Sequence, residues 1–183
     1  GLVSEGMTRG QGRRFLEMGR RLERSLQIAV MLRSTLVSVH SPEASLLDAI
    51  LEVSDSSMTY RRRYMSHVAT APVLDLLLAD EANPRSLAYQ IAALAEGIDH
   101  LPRNDSAPGR SESQRIILGA LTRLRVADIG TLARVDQSGY RPDLEDLLSR
   151  IEADIPVLSD ALTRNYFSHL EPPRQFSRST EAG

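Results

Sequence analysis

The chain has 183 residues, 42% hydrophobic and 4% aromatic, with a formal net charge of −2. This length fits one domain, and so small a charge favours neither a nucleic acid nor a membrane surface as partner. All 22 basic residues are arginine and cysteine is absent, which excludes lysine Schiff bases, the lysine of a P-loop, disulfides and cysteine metal sites. No stretch approaches the roughly 18 apolar residues of a membrane span, so we expect a cytoplasmic protein.

Apolar residues recur at helical spacing from the first segment onward. The pattern predicts a long amphipathic helix over about residues 11–39. A second helix is expected to start with Ser41 as N-cap and Pro42 at the first helical position, and to run to about Tyr64. Pro72 then opens a short, strongly apolar third helix.

The second half of the chain repeats these signals. Asn83 and Pro84 predict the N-cap and first position of a fourth helix. The segment 101–113 is rich in proline, glycine and serine, which is typical of a loop. A fifth helix is expected over about residues 116–133.

A narrow leucine and isoleucine stripe over about residues 144–162 predicts a sixth helix, which Pro156 should kink toward its polar side. The segment 171–183 has no packing pattern and is predicted to be a disordered tail. With no β pattern, the sequence predicts an all-α fold, an antiparallel bundle of about six helices forming a single domain over residues 1–170.

The run of three arginines between Tyr60 and Tyr64 is the most unusual polar feature of the second predicted helix. Projection at about 100° per residue places Arg61 inside the apolar arc and its two arginine neighbours outside it. Because a buried guanidinium without a partner costs several kcal/mol, an inward Arg61 requires an anion. Glu23, Asp55, Asp80 or a bound ligand can supply it, and the sequence leaves open whether the contact is structural or functional.

Arg20, Glu23 and Arg24 are neighbours at positions i, i+3 and i+4 of the first helix. They lie opposite its apolar stripe. We expect these three residues to form a solvent-exposed face with ion pairs within the helix, unless a second layer of helices covers this face.

The segment with Asp80, Asn83 and Arg85 precedes a helix whose first-turn N–H groups favour an anion, and Arg85 can add a guanidinium fork. Helix capping alone also explains Asn83. The four histidines are isolated, and no nucleophile elbow or glycine-rich phosphate loop occurs. We therefore predict no metal, no cofactor and no catalytic residue, and do not expect an enzyme acting alone.

Four stretches carry a resemblance to a known family: MTRGQGRRFLEMGRRLERSL, LLEVSDSSMTYRRRYMS, APVLDLLLADEANPRSLAYQIAALAEGIDHLP and ALTRNYFSHL. The chain resembles the alpha-E domain family, bacterial all-helical proteins named for a Glu-Arg motif. The resemblance implies the C-terminal half of a longer alpha-E region. It also implies association, by fusion or gene neighbourhood, with circularly permuted ATP-grasp ligases and transglutaminase-like proteases in peptide synthesis or modification.

The resemblance maps the Glu-Arg helix, the tyrosine-arginine run and the cap motif onto this chain, which gives these candidate ligand- or partner-binding residues: Arg20, Glu23, Arg24, Tyr60, Arg61, Tyr64, Asp80, Asn83 and Arg85. Members of the family usually carry tryptophan where Arg13 stands. We expect a non-catalytic binding or assembly module for an ATP-grasp domain in cis or in trans, recognising a peptide or an acidic small molecule. The alternative is a purely structural scaffold or oligomerisation domain with interhelical arginine–carboxylate pairs.

Overall fold

A computed structural model describes residues 2–65, 67–101 and 109–170, with side chains described at residue 10 and over 12–65, 67–101 and 109–165. The all-α prediction is confirmed, with eight helices in these ranges: α1 (Leu2–Leu36), α2 (Glu43–Val53), α3 (Ser57–Tyr64), α4 (Thr70–Leu74), α5 (Leu87–Asp99), α6 (Glu112–Arg125), α7 (Ile129–Leu132) and α8 (Pro142–Leu170). A π-helical turn, Asp75–Ala79, continues α4. The predicted tail at 171–183 lies outside the described residues.

Four helices form the centre of the bundle. α1 packs against α5 and α8, and α6 closes the ring by packing against the same two helices. Neighbours in the ring run antiparallel: Arg33 near the end of α1 pairs with Glu145 near the start of α8, and Gln114 at the start of α6 bonds Asp99 at the end of α5. The bundle prediction is therefore confirmed around four central helices.

The core of this ring is aliphatic. Ala29, Leu32 and Leu36 of α1 are fully buried, as are Leu144 and Ile151 of α8. These positions follow the periodicity seen in the sequence, because a helix inside a bundle buries one stripe. Pro156 of α8 is exposed, on the side predicted for it.

The predicted second helix is in fact two helices. α2 ends at Val53, and Asp55 adopts a left-handed backbone with φ of 50° before α3 begins at Ser57. A left-handed residue ends the α-helical hydrogen-bond ladder and redirects the chain. The continuous projection that placed Arg61 on the apolar side was therefore wrong, and Arg61 is exposed.

Two predicted helix starts were also wrong. Pro42 occupies the N-cap position of α2, where no side chain caps the helix, in place of Ser41. The N-cap of α5 is Ser86, whose Oγ accepts a hydrogen bond from the Tyr89 N–H. Asn83 lies in the preceding turn, so the cap signal in the sequence was displaced by three residues.

The predicted fifth helix is divided as well. α6 starts within the predicted loop at Glu112, behind a capping box formed by Ser111 and Gln114, and ends at Arg125. The short helix α7 follows, with Asp128 as its N-cap. Residues 102–108 of the predicted loop lie outside the described residues.

Candidate functional site

A cleft lined by arginines runs along the exposed face of α1. It has a volume of about 410 Å³ and these lining residues: Arg13, Leu16, Glu17, Arg20, Arg21, Arg24 and Gln90. The α1 residues share one face because they recur every three to four positions, and Gln90 reaches the cleft from the buried start of α5. We call this the arginine cleft.

One arginine of the cleft is held by the protein itself. Arg21 pairs with Glu17 at 3.1 Å, bonds the Gln90 side chain at 3.4 Å and lies 6.0 Å from the centre of the Tyr89 ring. Arg13, Arg20 and Arg24 are exposed and form no ion pair with any residue the structure describes. Three guanidinium groups thus remain available to an anion.

A second cleft of about 490 Å³ continues from the first. Its lining residues are Arg24, Gln27, Ile28, Met31, Val53, Ser54, Asp55, Pro84 and Arg85. Arg24 lines both clefts, so they meet at this residue. We call the second one the mixed cleft, because it combines aliphatic side chains with an ion pair between Arg85 and Asp55.

The tyrosine-arginine run lies on α3, packed beside the π-helical turn. Arg63 pairs with Asp80, and the Tyr64 hydroxyl donates to the Asp75 carboxylate. Burial, together with this hydrogen bond, raises the pKa of Tyr64 far above its usual value. The bond to Asp80 likewise raises the pKa of Arg63. This cluster holds tyrosine neutral and arginine charged, and it pairs each of them with a carboxylate.

Two of the predicted site residues are structural. Tyr60 is 1% exposed, and its hydroxyl donates to the His67 carbonyl and accepts from the Ala69 N–H. Asn83 is buried, and its amide donates to the Leu76 carbonyl at 2.9 Å. Both residues satisfy backbone groups at chain reversals, so neither presents a free polar atom to a ligand.

The remaining candidates are divided between separate places. Arg20 and Arg24 lie together in the arginine cleft, and Arg24 lies with Arg85 in the mixed cleft. Glu23 is exposed and bonds only its own helix neighbour Gln27 among the described residues. Arg61 forms no ion pair with any described residue, and it lines neither of the two clefts.

Sequence reasoning missed Arg13, Arg21 and Gln90 as cleft residues. The spacing of Arg13 from Arg20 and Arg24, seven and eleven positions, was a signal that these side chains share a face. Nothing local indicated Gln90, because its place in the cleft follows from how α5 packs on α1.

Among the described residues, the buried arginine is Arg141, which lies between the predicted fifth and sixth helices. It is 2% exposed and donates to the carbonyls of Leu36 and Ala133, to Glu43 at 2.7 Å and to Thr70. A guanidinium has five N–H donors in a fixed fork, and here four hydrogen bonds use four of them. The contact expected at Arg61 is thus made by a different arginine, with a structural carboxylate as its anion.

Comparison with known proteins identifies the family of this chain. Residues 1–167 match a family described as "Alpha-E: A predicted alpha-helical domain with a conserved ER motif". The chain belongs to the Alpha-E family. The sequence contains a single Glu-Arg dipeptide, Glu23-Arg24, and its arginine lines both clefts.

Relatives of this Alpha-E domain are longer proteins. Uncharacterized proteins of Mycobacterium bovis and of Mycobacterium tuberculosis strains CDC 1551 and H37Rv are 34% identical to it over 165 residues, which is 89% of this chain and 18% of theirs. The chain thus spans less than a fifth of these relatives. No solved structure matches it.

Two further features concern only the residues that the structure describes. None of the helices there has an apolar stretch long enough to cross a membrane. No group of three or more histidine, aspartate or glutamate side chains is arranged there to hold a metal ion.

Proposed function

We propose that this Alpha-E domain is a non-catalytic binding module that recognises an acidic polypeptide segment through Arg13, Arg20 and Arg24 of the arginine cleft. The observation that carries this proposal is that one cleft of about 410 Å³ is lined by three exposed arginines that form no ion pair with any described residue. Guanidinium forks match carboxylates in both charge and geometry. The chain as a whole has a charge of −2, so this positive surface is local rather than general.

The ligand is proposed to be a peptide rather than a buried small molecule. The arginine cleft is an open surface along a helix, and its only apolar wall residue from α1 is Leu16, which is 58% exposed. Small-molecule sites enclose most of their ligand in apolar surroundings. An open, charged strip favours a ligand that contributes several carboxylates along its length.

The partner proposed for this module is an ATP-grasp ligase domain, in cis or in trans, within a system for peptide synthesis or modification. The resemblance suggests this partner, and the greater length of the mycobacterial relatives leaves room for further domains in the same chain. Addition of the purified Alpha-E domain to a purified ATP-grasp ligase of the same organism should increase the rate at which that ligase ligates an acidic peptide. An unchanged ligation rate, with no complex by size-exclusion chromatography, would remove this partner from the proposal.

Acidic peptide binding is tested by charge reversal. A fluorescein-labelled peptide of five glutamates should bind the wild-type domain, and Arg20→Glu/Arg24→Glu should weaken its Kd about tenfold or more by fluorescence anisotropy, because two attractive charges become repulsive. Higher salt should weaken the wild-type complex as well.

The matched control is Arg61→Glu/Arg62→Glu, which reverses two exposed arginines on α3 that also lack ion pairs among the described residues. Its affinity should equal that of the wild type. Equal loss in both double variants would reveal a diffuse charge effect, and no loss in either would overturn the arginine cleft as the site.

The second candidate is a structural scaffold, which the ion pairs between elements favour. Arg33 joins α1 to α8, Arg123 joins α6 to α8, and Arg141 joins the start of α8 to α2. A scaffold alone predicts that the α1 charge reversal changes neither peptide binding nor ligation.

A further inference from the structure

We infer that the arginine cleft and the mixed cleft form one directional groove, which binds a linear peptide with acidic side chains at one end and an apolar anchor at the other. This inference rests on the proposed function and adds a specificity to it. The two clefts share Arg24, and their α1 residues, from Arg13 to Met31, recur on one face of the helix.

The dimensions of the groove fit a short peptide. The helix rises about 1.5 Å per residue, so the 18 positions from Arg13 to Met31 cover about 27 Å. An extended peptide rises about 3.3 Å per residue, so about eight residues span this length. The seven positions from Arg24 to Met31 correspond to about three extended residues by the same arithmetic.

The charge of the groove changes along its length. At the first end, Glu17 is the single carboxylate among four arginines, and it is already paired with Arg21. At the second end, Arg85 is paired with Asp55 and its charge is thereby compensated. Acidic side chains are therefore attracted to the first end and gain little at the second.

The second end offers apolar surface instead. Val53 is 79% exposed although it is a large aliphatic residue, and Ile28 and Met31 are half-buried beside it in the mixed cleft. An aliphatic ligand side chain placed here removes apolar surface of both partners from water. Methionine adapts its shape to different partners, which suits an anchor site.

Polar groups between the two ends suit the peptide backbone. Gln27 and Ser54 line the mixed cleft beside its apolar side chains. The amide of Gln27 can both donate and accept, and the Ser54 hydroxyl, which donates to the Leu51 carbonyl, can still accept. A peptide crossing this part of the groove can satisfy its N–H and C=O groups without a sequence requirement.

The test uses three labelled peptides of equal length and the whole chain. The first carries three glutamates, a Ser-Gly-Ser spacer and a leucine; the second replaces the leucine by serine, and the third replaces the glutamates by glutamines. By fluorescence anisotropy, the first should bind about tenfold more tightly than the second, which corresponds to burying one aliphatic side chain. The third should bind weakest, because it lacks the carboxylates.

The site of the apolar anchor is tested with Val53→Ser, and the matched control is Val126→Ser at the end of α6. Both valines are more than 70% exposed, at 79% and 74%, so neither change should alter the fold. Val53→Ser should remove most of the leucine advantage and leave the affinity of the leucine-free acidic peptide unchanged. Val126→Ser should change neither.

The outcomes separate this inference from the proposed function. The directional groove is wrong if the leucine peptide binds no more tightly than the serine peptide, or if its higher affinity survives Val53→Ser. In that case the proposed function is still supported if the acidic peptide binds the wild type and this binding is lost in Arg20→Glu/Arg24→Glu. If no glutamate peptide binds the wild-type domain, both fail. If Val126→Ser, and not Val53→Ser, removes the higher affinity of the leucine peptide, the apolar anchor binds elsewhere and the inference of a directional groove is wrong.

Discussion

The Arg141 side chain is enclosed where the chain enters α8, and it bonds groups from the end of α1, the start of α2, the start of α4 and the end of α7. Glu43 compensates its charge at 2.7 Å. Arg61 is the opposite case, since it is exposed and has no ion pair among the described residues. The free energy that each arginine contributes to folding therefore depends on its partners, not on its chemistry alone.

This contrast gives a prediction for stability. Arg141→Met should lower the free energy of unfolding by about 3 kcal/mol, because it leaves Glu43, the buried Leu36 carbonyl and the partly buried Ala133 carbonyl without their donor. Arg61→Met should change it by less than about 0.5 kcal/mol. Urea unfolding followed by circular dichroism measures both. Similar stabilities of the two variants would contradict the assignment of Arg141 as the buried arginine.

Among the helices, α5 depends most clearly on a single cap. Ser86 is fully buried; its Oγ accepts from the Tyr89 N–H at 2.9 Å and donates to the Asp80 carbonyl at 2.5 Å. The same hydroxyl thus begins α5 and ties it to the end of the π-helical turn. Because Gln90 of α5 lines the arginine cleft and α5 packs against α1, this cap also positions the site.

Removal of the cap is therefore expected to affect stability. Ser86→Ala should lower the free energy of unfolding by about 1 to 2 kcal/mol, since it leaves a helix N–H and a carbonyl unpaired. Ser149→Ala is the control, because Ser149 lies within α8 and, among the described residues, bonds only the carbonyl of its own helix neighbour Asp146. Thermal denaturation of both variants measures their stabilities. If the Ser86→Ala domain is as stable as the Ser149→Ala domain, the Ser86 cap does not stabilise α5.

At the scale of the whole molecule, ion pairs connect helices that are far apart in sequence. Arg33 of α1 reaches Glu145 and Glu152 of α8 at 2.5 and 3.1 Å, and the hydrogen bond to Glu145 raises the pKa of Arg33. These contacts join the first and last helices of the described chain. They fix the relation of α1, which carries the cleft arginines, to the rest of the bundle.

The strength of this connection can be measured in a double-mutant cycle. Arg33→Ala, Glu145→Ala and the double variant should give a favourable coupling free energy at low salt, because the contact between Arg33 and Glu145 is bidentate. The coupling should fall as salt is added. The surface pair Arg150–Asp146 within α8 is the comparison, with an expected coupling of about 0.3 to 0.5 kcal/mol. A coupling free energy of Arg33–Glu145 no larger than that of Arg150–Asp146 would contradict the role of the Arg33–Glu145 pair in connecting α1 to α8.

The sequence by itself determined the helical content, the aliphatic stripes of α1 and α8 and the exposure of Arg20, Glu23 and Arg24, because these follow from periodicity within one continuous helix. It could not place Arg61, because the left-handed Asp55 interrupts the helix and ends any projection across it. Tertiary structure alone decided that Arg141 is buried and that Arg24 joins Arg85 in one cleft. Those facts depend on which helices pack together, and contacts between residues 61 or 98 positions apart leave no local periodic signal.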